Sequence, residues 1–365
     1  MPDAYDFVVK RDDLRETSVL PVPNEEEVAL EPGQALLRID NFSLSANNVT
    51  YGAMGDAMNY WDFFPAPEGW GRVPAWGFAE VTRSEHEGTP VGTRVYGYFP
   101  MSSYLVVNPG ENSPDGFTDV SPHRAALPMI YNRYSIVSDP EQGSDREALT
   151  ALFSPLFATS FLLDDWLAEE QYFGADRLIL SSASSKTALG LAFLLNTKRR
   201  TDAKIVGLTS PGNRDFVEGT GLYDEVNGYD DLTGLEPPGP AVYLDFAGSG
   251  ELRARVHEIF GDQLKASVIV GAADWESLMP PEGNQPLPGP DPGLFFAPDR
   301  AEKRLGDWGG EGLRDRVNTE QRKFIDSSGA WLTIRRGSGP DQLGAAFRGL
   351  VEGETSPDEG WSIRP

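Results

Sequence analysis

The residues best placed to do chemistry lie in one stretch, Arg177 to Asn196, which reads RLILSSASSKTALGLAFLLN. A short apolar run, Leu178-Ile179-Leu180, meets a small polar loop, Ser181 to Thr187, and a helical apolar pattern follows at once. That is the pattern of a strand feeding a helix N-terminus, where backbone N–H groups and the helix dipole favour a bound phosphate. Two phosphate readings are open. In the first, Lys186-Thr187 stands where a P-loop has its Lys-Thr pair. The P-loop glycines would then be Leu180 and Ser185, which removes the backbone freedom that wraps a phosphate. In the second, the loop is a Rossmann turn whose small residues Ser182, Ser184 and Ser185 let a pyrophosphate approach, with Lys186 and Thr187 opening the helix. The plain alternative is a strand–helix turn with no ligand.

The next strand sharpens the choice. KIVGLT, residues 204–209, ends in Thr209-Ser210-Pro211-Gly212-Asn213-Arg214, with no carboxylate before Asp215. An NAD site places Asp or Glu there to hold the ribose hydroxyls. Hydroxyls, an amide and an Arg suit a 2′-phosphate instead, so the expected cofactor is NADPH/NADP. Arg214 opposes the dipole at a helix start, which favours an anion partner; otherwise it only decorates that start.

Elements that could position such a site follow from periodicity. Residues 5–9, 35–41, 77–82, 92–98 and 103–107 read as short strands between turns, suited to a small barrel. Phe42 to Tyr51 is polar but uncharged and leads into a loop rich in aromatics up to Trp70, either a pocket lining or a pinned surface loop. From Glu147 the period turns helical, and ALTALFSPLFATSFLLDDWLAEEQ predicts a buried helix pair. Strands at 178–181, 204–209, 224–227, 241–245 and 265–271 then alternate with helices at 186–199, 212–219 and 249–261. This βαβ series implies a parallel sheet covered on both faces. A Pro/Gly-rich loop spans 280–293, and a further strand is expected at 294–298. A helix at 311–327, a strand at 331–336, a helix at 341–352 and a strand at 361–364 close the chain.

Composition narrows the function. The chain has 365 residues, enough for two domains, with 39% hydrophobic and 11% aromatic content, as in an ordinary globular protein. A formal charge of -25 argues against nucleic acid and anionic membranes as partners. Cysteine is absent, which excludes disulfides, thiolate metal sites and Cys nucleophiles. Of the three histidines, His86 and His257 are expected at the surface, so no metal site is expected. The N-terminus lacks an apolar signal core and no run approaches a membrane span, which predicts a cytoplasmic protein.

These motifs, in this order, resemble the zinc-free branch of the medium-chain dehydrogenase/reductase superfamily, near the quinone oxidoreductases. More closely, the chain resembles the DUF2855 family through SANNVTYGAMGD, PLFATSFLLDDWLA, SSASSKTALGLAFLL and LFFAPD. Gly92 to Gly97 is similar to the G-D-R-V-x-G turn of the superfamily's barrel, Gly221 to Tyr229 to G-A-D-E-V-I-N-Y, and Val242 to Gly248 to V-x-D-x-V-G. The resemblance implies an α/β protein: a Rossmann parallel sheet domain plus a GroES-like β-barrel catalytic domain. It divides the chain into a catalytic domain at 1–140, a nucleotide domain at 141–329 and a return to the catalytic domain at 330–365. It also implies a homodimer paired through the sixth sheet strand, and a 2′-phosphate held by Arg214 and Tyr229. Further cofactor contacts are implied at Phe246, Ala247, Gly271, Phe295 and Phe296. The cysteine ligands of the zinc-dependent branch have no counterpart.

The expected activity is therefore NADPH-dependent reduction of a carbonyl, enone or quinone-type small molecule. Without a metal, developing oxyanion charge needs hydrogen-bond donors, and Asn47 and Tyr51 are the first candidates, with Tyr131 and Tyr134 weaker. The alternative is a non-catalytic NADPH-binding sensor or scaffold, with Trp61, Phe63, Phe64 and Trp70 as a contact surface. A hydrolase is disfavoured because no G-x-S-x-G elbow is present.

Overall fold

The computed structural model describes residues 4–111, 113–137, 142–235, 239–270 and 286–365. It forms two compact units, Phe153–Leu332 and Met1–Leu152 with Thr333–Pro365.

The unit Phe153–Leu332 is built on a six-stranded sheet whose strands are numbered here β1 (Arg177–Leu180), β2 (Lys204–Thr209), β3 (Glu225–Gly228), β4 (Ala241–Asp245), β5 (Leu264–Ile269) and β6 (Gly293–Leu294). All pair in parallel, in the order β3-β2-β1-β4-β5-β6. Leu178, Ile179 and Leu180 are fully buried, as are Val206, Leu208 and all of β4, which is why these strands read as unbroken apolar runs rather than alternating ones. Helices α1 (Lys186–Lys198), α2 (Arg214–Gly219) and α3 (Gly250–Phe260) follow β1, β2 and β4. Strand order reverses between β1 and β4, and such a reversal opens a crevice at the carboxyl ends of the strands.

Three expectations are corrected here. The apolar stretch from Glu147 is one helix, Asp145–Glu169, not a pair. Pro155 sits inside it, and the lost backbone bond is outweighed by the burial of Phe153, Phe157, Phe161 and Leu163 around it. The strand expected at 294–298 is only Gly293–Leu294; Pro298 instead enters the first turn of a helix, Ala297–Ser328, where its missing N–H costs nothing. That helix includes the segment expected at 311–327, and Gly309, at φ 71°, absorbs a kink in it.

The other unit carries an eight-stranded sheet. Its order runs Thr333–Ser338, Glu359–Arg364, Ala35–Leu44, Pro74–Ser84, Arg94–Pro100, Arg133–Ile136 and Gly116–Thr118, with Tyr104–Val107 also paired to Ala35–Leu44. A smaller sheet pairs Tyr5–Lys10 with Thr17–Pro21 and Trp70–Gly71. Gly77 permits a close approach of two strands, since a Cβ there would run into the Asn41 carbonyl oxygen. The fold is thus α/β, a Rossmann sheet and a GroES-like barrel.

Between barrel strands, Arg124 is buried against Asp119 at 2.8 Å, donates to the Tyr134 hydroxyl at 3.1 Å, and lies over the Phe64 ring. Asn132 donates to the Arg124 carbonyl at 3.1 Å. These bonds tie both ends of the segment that carries Tyr131. Among the described residues, no helix is long and apolar enough to cross a membrane.

Candidate functional site

At the carboxyl ends of β1, β2 and β4 lies a cleft of about 460 Å³. Its floor is set by Ser181 and Asp245, the residues at which β1 and β4 give way to loops. Ser181 Oγ donates to Asp245 Oδ1 at 2.9 Å and accepts from the N–H groups of Phe246 and Ala247 at 2.9 and 3.0 Å. Asp245 Oδ1 also accepts from the N–H groups of Ala247 and Gly248, while Oδ2 holds Arg253 at 2.9 Å. Both side chains are fully buried. The two strand ends are thereby locked into one geometry beneath the opening.

Above this floor, Ser182 takes the left-handed backbone conformation, φ 46°, that a glycine would adopt without strain. Its N–H donates to the Tyr229 hydroxyl at 2.8 Å. Ser185 caps α1 by accepting from the Ala188 N–H at 3.3 Å, and Asn213 donates to Ser184 Oγ at 3.0 Å, joining the first loop to the second. Thr209 Oγ1 is buried in the cleft wall with no hydrogen-bond partner among the described residues. Burial pushes the Tyr229 phenol above its usual range, so it stays protonated and can donate.

Of the residues singled out in the sequence, the cleft brings together Ser182, Ser184, Thr209, Ser210, Asn213, Tyr229 and Ala247. Ser185, Lys186 and Thr187 open α1 beside it without lining it. Phe246 contributes its N–H to the floor and is itself buried. Arg214 does not enter: it is half exposed and pairs with Glu218 one helical turn on, at 2.9 Å. Phe295 is half-buried, with its N–H on the Ile269 carbonyl, and Phe296 is exposed at the start of the Ala297–Ser328 helix. Gly271 lies outside the described residues. Sequence reasoning missed Ser249, Glu251, Leu252 and Arg255, which α3 and its cap bring to the cleft.

His257 is also corrected. It is buried, with Nδ1 on the Pro288 carbonyl and Nε2 on Ser267 Oγ, both at 2.8 Å. The buried stripe of α3 is Leu252, Val256, His257 and Phe260, so the histidine shares the face of the apolar residues. Burial lowers its pKa below the usual value, with the Pro288 carbonyl opposing and Arg253 adding to the effect. The unfolded chain then binds more protons than the fold between that lowered pKa and about 6.5. Its stabilising contribution is complete above about pH 6.5 and is lost as the pH falls through the folded pKa. The melting temperature should therefore fall more steeply between about pH 7 and about pH 5 in the native protein than in His257→Gln. Parallel profiles for the two proteins would refute this.

In the barrel unit, Asn47 and Tyr51 lie one turn apart on a helix, Ala46–Ala53, in a stretch that the sequence marked only as polar and uncharged. Ser45 caps it, with the Asn47 N–H on its Oγ and its own N–H on Asn48 Oδ1, a local signal present in S-x-x-N. The Tyr51 hydroxyl accepts from Trp76 Nε1 at 3.2 Å, and its ring packs on Tyr60 and Tyr98 at 4.8 and 5.4 Å. Tyr131, half-buried, joins the same cluster through Tyr98, Phe63 and Trp76, and its hydroxyl is 3.5 Å from that of Tyr60. Tyr134 is remote in role, held by Arg124 in the core. Burial raises the phenol pKa of Tyr51, with neighbouring Tyr60 adding to it, and also raises those of Tyr98 and Tyr131. All three are donors, not bases, at neutral pH. Trp61, Phe63 and Phe64 are buried, so the aromatic segment before Trp70 packs the core rather than offering a contact surface.

An all-parallel sheet of this order is that of the dinucleotide-binding Rossmann folds, with the crevice where the strand order reverses. The chain belongs to the family described as "Protein of unknown function (DUF2855)", whose model matches residues 42–356. No curated protein matches it in sequence. Solved structures match along the full length. CurA from Vibrio vulnificus, in complex with NADPH, is 14% identical, with a TM-score of 0.63 over 99% of this chain and 99% of that one. A putative NADPH:quinone reductase from Mesorhizobium loti is 13% identical, with a TM-score of 0.61 over 100% and 99%. TarJ from S. aureus, in complex with NADPH, is 11% identical, with a TM-score of 0.58 over 99% and 98%. At these identities the likeness is one of fold.

Proposed function

We propose that this chain is an NADPH-dependent oxidoreductase that reduces a carbonyl, enone or quinone-type small molecule without zinc. The observation that carries the reading is the cleft at the reversal of strand order, lined by hydroxyls and an amide and lacking a carboxylate at the end of β2. The donor set fits a phosphorylated nucleotide: the buried Thr209 hydroxyl has no partner among the described residues, and the serine-built loop leads directly into the N-terminus of α1. CurA and TarJ, solved with NADPH, support the same choice. Ser182, Ser184, Ser185, Lys186 and Thr187 would surround the pyrophosphate. Thr209, Ser210, Asn213 and Tyr229 would surround the adenosine, with Phe246, Ala247, Phe295 and Phe296 further along. NADPH bound there would supply hydride. Asn47, Tyr51 and Tyr131 are the proposed donors to the substrate oxygen. A homodimer through the edge of β6, where Leu294 is 72% exposed, belongs to the same reading and is checked by sedimentation of the intact chain.

Titration with NADPH and NADH, followed by NADPH oxidation with quinones, enones and aldehydes, tests the function. NADPH should bind at least about tenfold more tightly than NADH, because the 2′-phosphate adds charge-assisted bonds. Equal affinity would refute the 2′-phosphate argument. Tight binding without turnover on any acceptor would favour the sensor, a reading supported by the burial of Tyr51 to 5% exposure.

A further inference from the structure

We infer that Arg255, not Arg214, grips the 2′-phosphate of the nucleotide; the inference rests on the NADPH reading above. Position in sequence favours Arg214, which directly follows the polar end of β2. The structure directs its charge elsewhere. Arg214 Nε bonds Glu218 Oε1 at 2.9 Å, and Asp230 and Asp231 add to the negative field around it. Its side chain is half exposed and contributes nothing to the cleft wall. A guanidinium already matched by carboxylates has little charge left for a phosphate, and at the surface it acts through water and salt.

Arg255 has the opposite environment. It lies on α3, half-buried, and is the cationic side chain among the residues that line the cleft. Its Nη1 donates to the Tyr229 carbonyl at 2.6 Å, and the Tyr229 N–H donates to the Thr209 carbonyl at 2.9 Å. The guanidinium is therefore separated by one residue from the end of β2, where the adenosine ribose sits in a Rossmann fold. It makes no ion pair among the described residues; Glu251, one turn earlier on α3, lines the same cleft but is exposed to solvent. One N–H of the fork is anchored to a backbone carbonyl, which fixes its plane, and the remaining donors are left for an anion. Tyr229 adds a hydroxyl to the same wall and fixes the first loop through Ser182. The cleft thus presents a pre-oriented cation opposite the hydroxyls of Thr209 and Ser210.

The test compares dissociation constants, by tryptophan fluorescence or calorimetry, for NADPH, NADH, 2′,5′-ADP and 5′-AMP. The proteins are the native chain, Arg255→Ala, Arg255→Lys and Arg214→Ala. Arg255→Ala should weaken NADPH and 2′,5′-ADP by about 10–100-fold while leaving NADH and 5′-AMP within about twofold. Arg255→Lys should recover part of the loss, because a point charge replaces the fork, and Arg214→Ala should behave as native. Equal weakening of all four ligands by Arg255→Ala, with no recovery in the Lys variant, would overturn the assignment, as would a selective loss in Arg214→Ala. Those outcomes leave native NADPH binding intact. If the native chain bound neither NADPH nor 2′,5′-ADP, the proposed function itself would fall, and this inference with it.

Discussion

Asp245→Ala should destabilise the Phe153–Leu332 unit by about 3–5 kcal/mol and abolish the proposed NADPH binding. The carboxylate is fully buried and its two oxygens hold the Ser181 hydroxyl, two backbone N–H groups and the Arg253 guanidinium. Removing it leaves Arg253, whose side chain is 15% exposed, without a counter-charge, and takes away an acceptor shared by the Ala247 and Gly248 N–H groups. Burying an uncompensated charge costs far more than the pair itself contributes. Asp245→Asn keeps the volume and one acceptor oxygen, so its loss should be nearer about 1–3 kcal/mol. Urea denaturation read at the midpoint, with an unchanged slope, distinguishes these effects from a change in the unfolded state. A loss under about 1 kcal/mol for the alanine variant would show that the floor of the cleft does not depend on this carboxylate.

How much of this was legible in the sequence depended on whether a feature was local. KIVGLT and AVYLD were placed residue for residue, as Lys204–Thr209 and Ala241–Asp245, because an unbroken apolar run between turn residues has few other uses in a βαβ series. The hydroxyl-rich ends of β1 and β2 were legible for the same reason, and the cleft does gather Ser182, Ser184, Thr209, Ser210 and Asn213. Features set by tertiary neighbours were not legible. His257 looked like a surface residue because it lies in a charge-rich helix pattern, ELRARVHEIF; only the packing of α3 against Ser267 and the backbone of Pro288 shows it to be interior. Arg255 carried no signal at all, since an arginine in an amphipathic helix is ordinary until the helix is docked beside Tyr229. The Ala46–Ala53 helix was missed for a different reason. Its Val, Thr and Asn residues are poor helix formers, and the capping by Ser45 and Asn48 outweighs that propensity. The glycine-poor loop is the clearest case of a departure from pattern. Ser182 holds the left-handed geometry that glycine usually supplies, with its N–H fixed by Tyr229, a residue 47 positions away.

Tyr51→Phe should lower kcat by about 10²–10³-fold on whichever acceptor turns over, with the NADPH dissociation constant unchanged. The proposed donor needs a proton to give and a fixed direction in which to give it. Burial keeps the Tyr51 phenol protonated, and its oxygen accepts from Trp76 Nε1, so that bond does not use the hydroxyl's own proton. The same bond fixes the ring, as do Tyr60 and Tyr98 on its faces. Phenylalanine retains that packing, so the variant should fold and lose about 1 kcal/mol of stability at most. Trp76→Phe should show a smaller fall in kcat, because it loosens the hydroxyl without removing it. Tyr131→Phe separates the two candidate donors. Tyr131 is more open and bonded only weakly to Tyr60, so it has less preorganisation to lose. Native turnover in Tyr51→Phe with a large loss in Tyr131→Phe would transfer the donor role to Tyr131. Native turnover in both would leave these hydroxyls as structural members of an aromatic core, and a donor would have to be sought in Asn47, whose amide lies one helical turn before Tyr51.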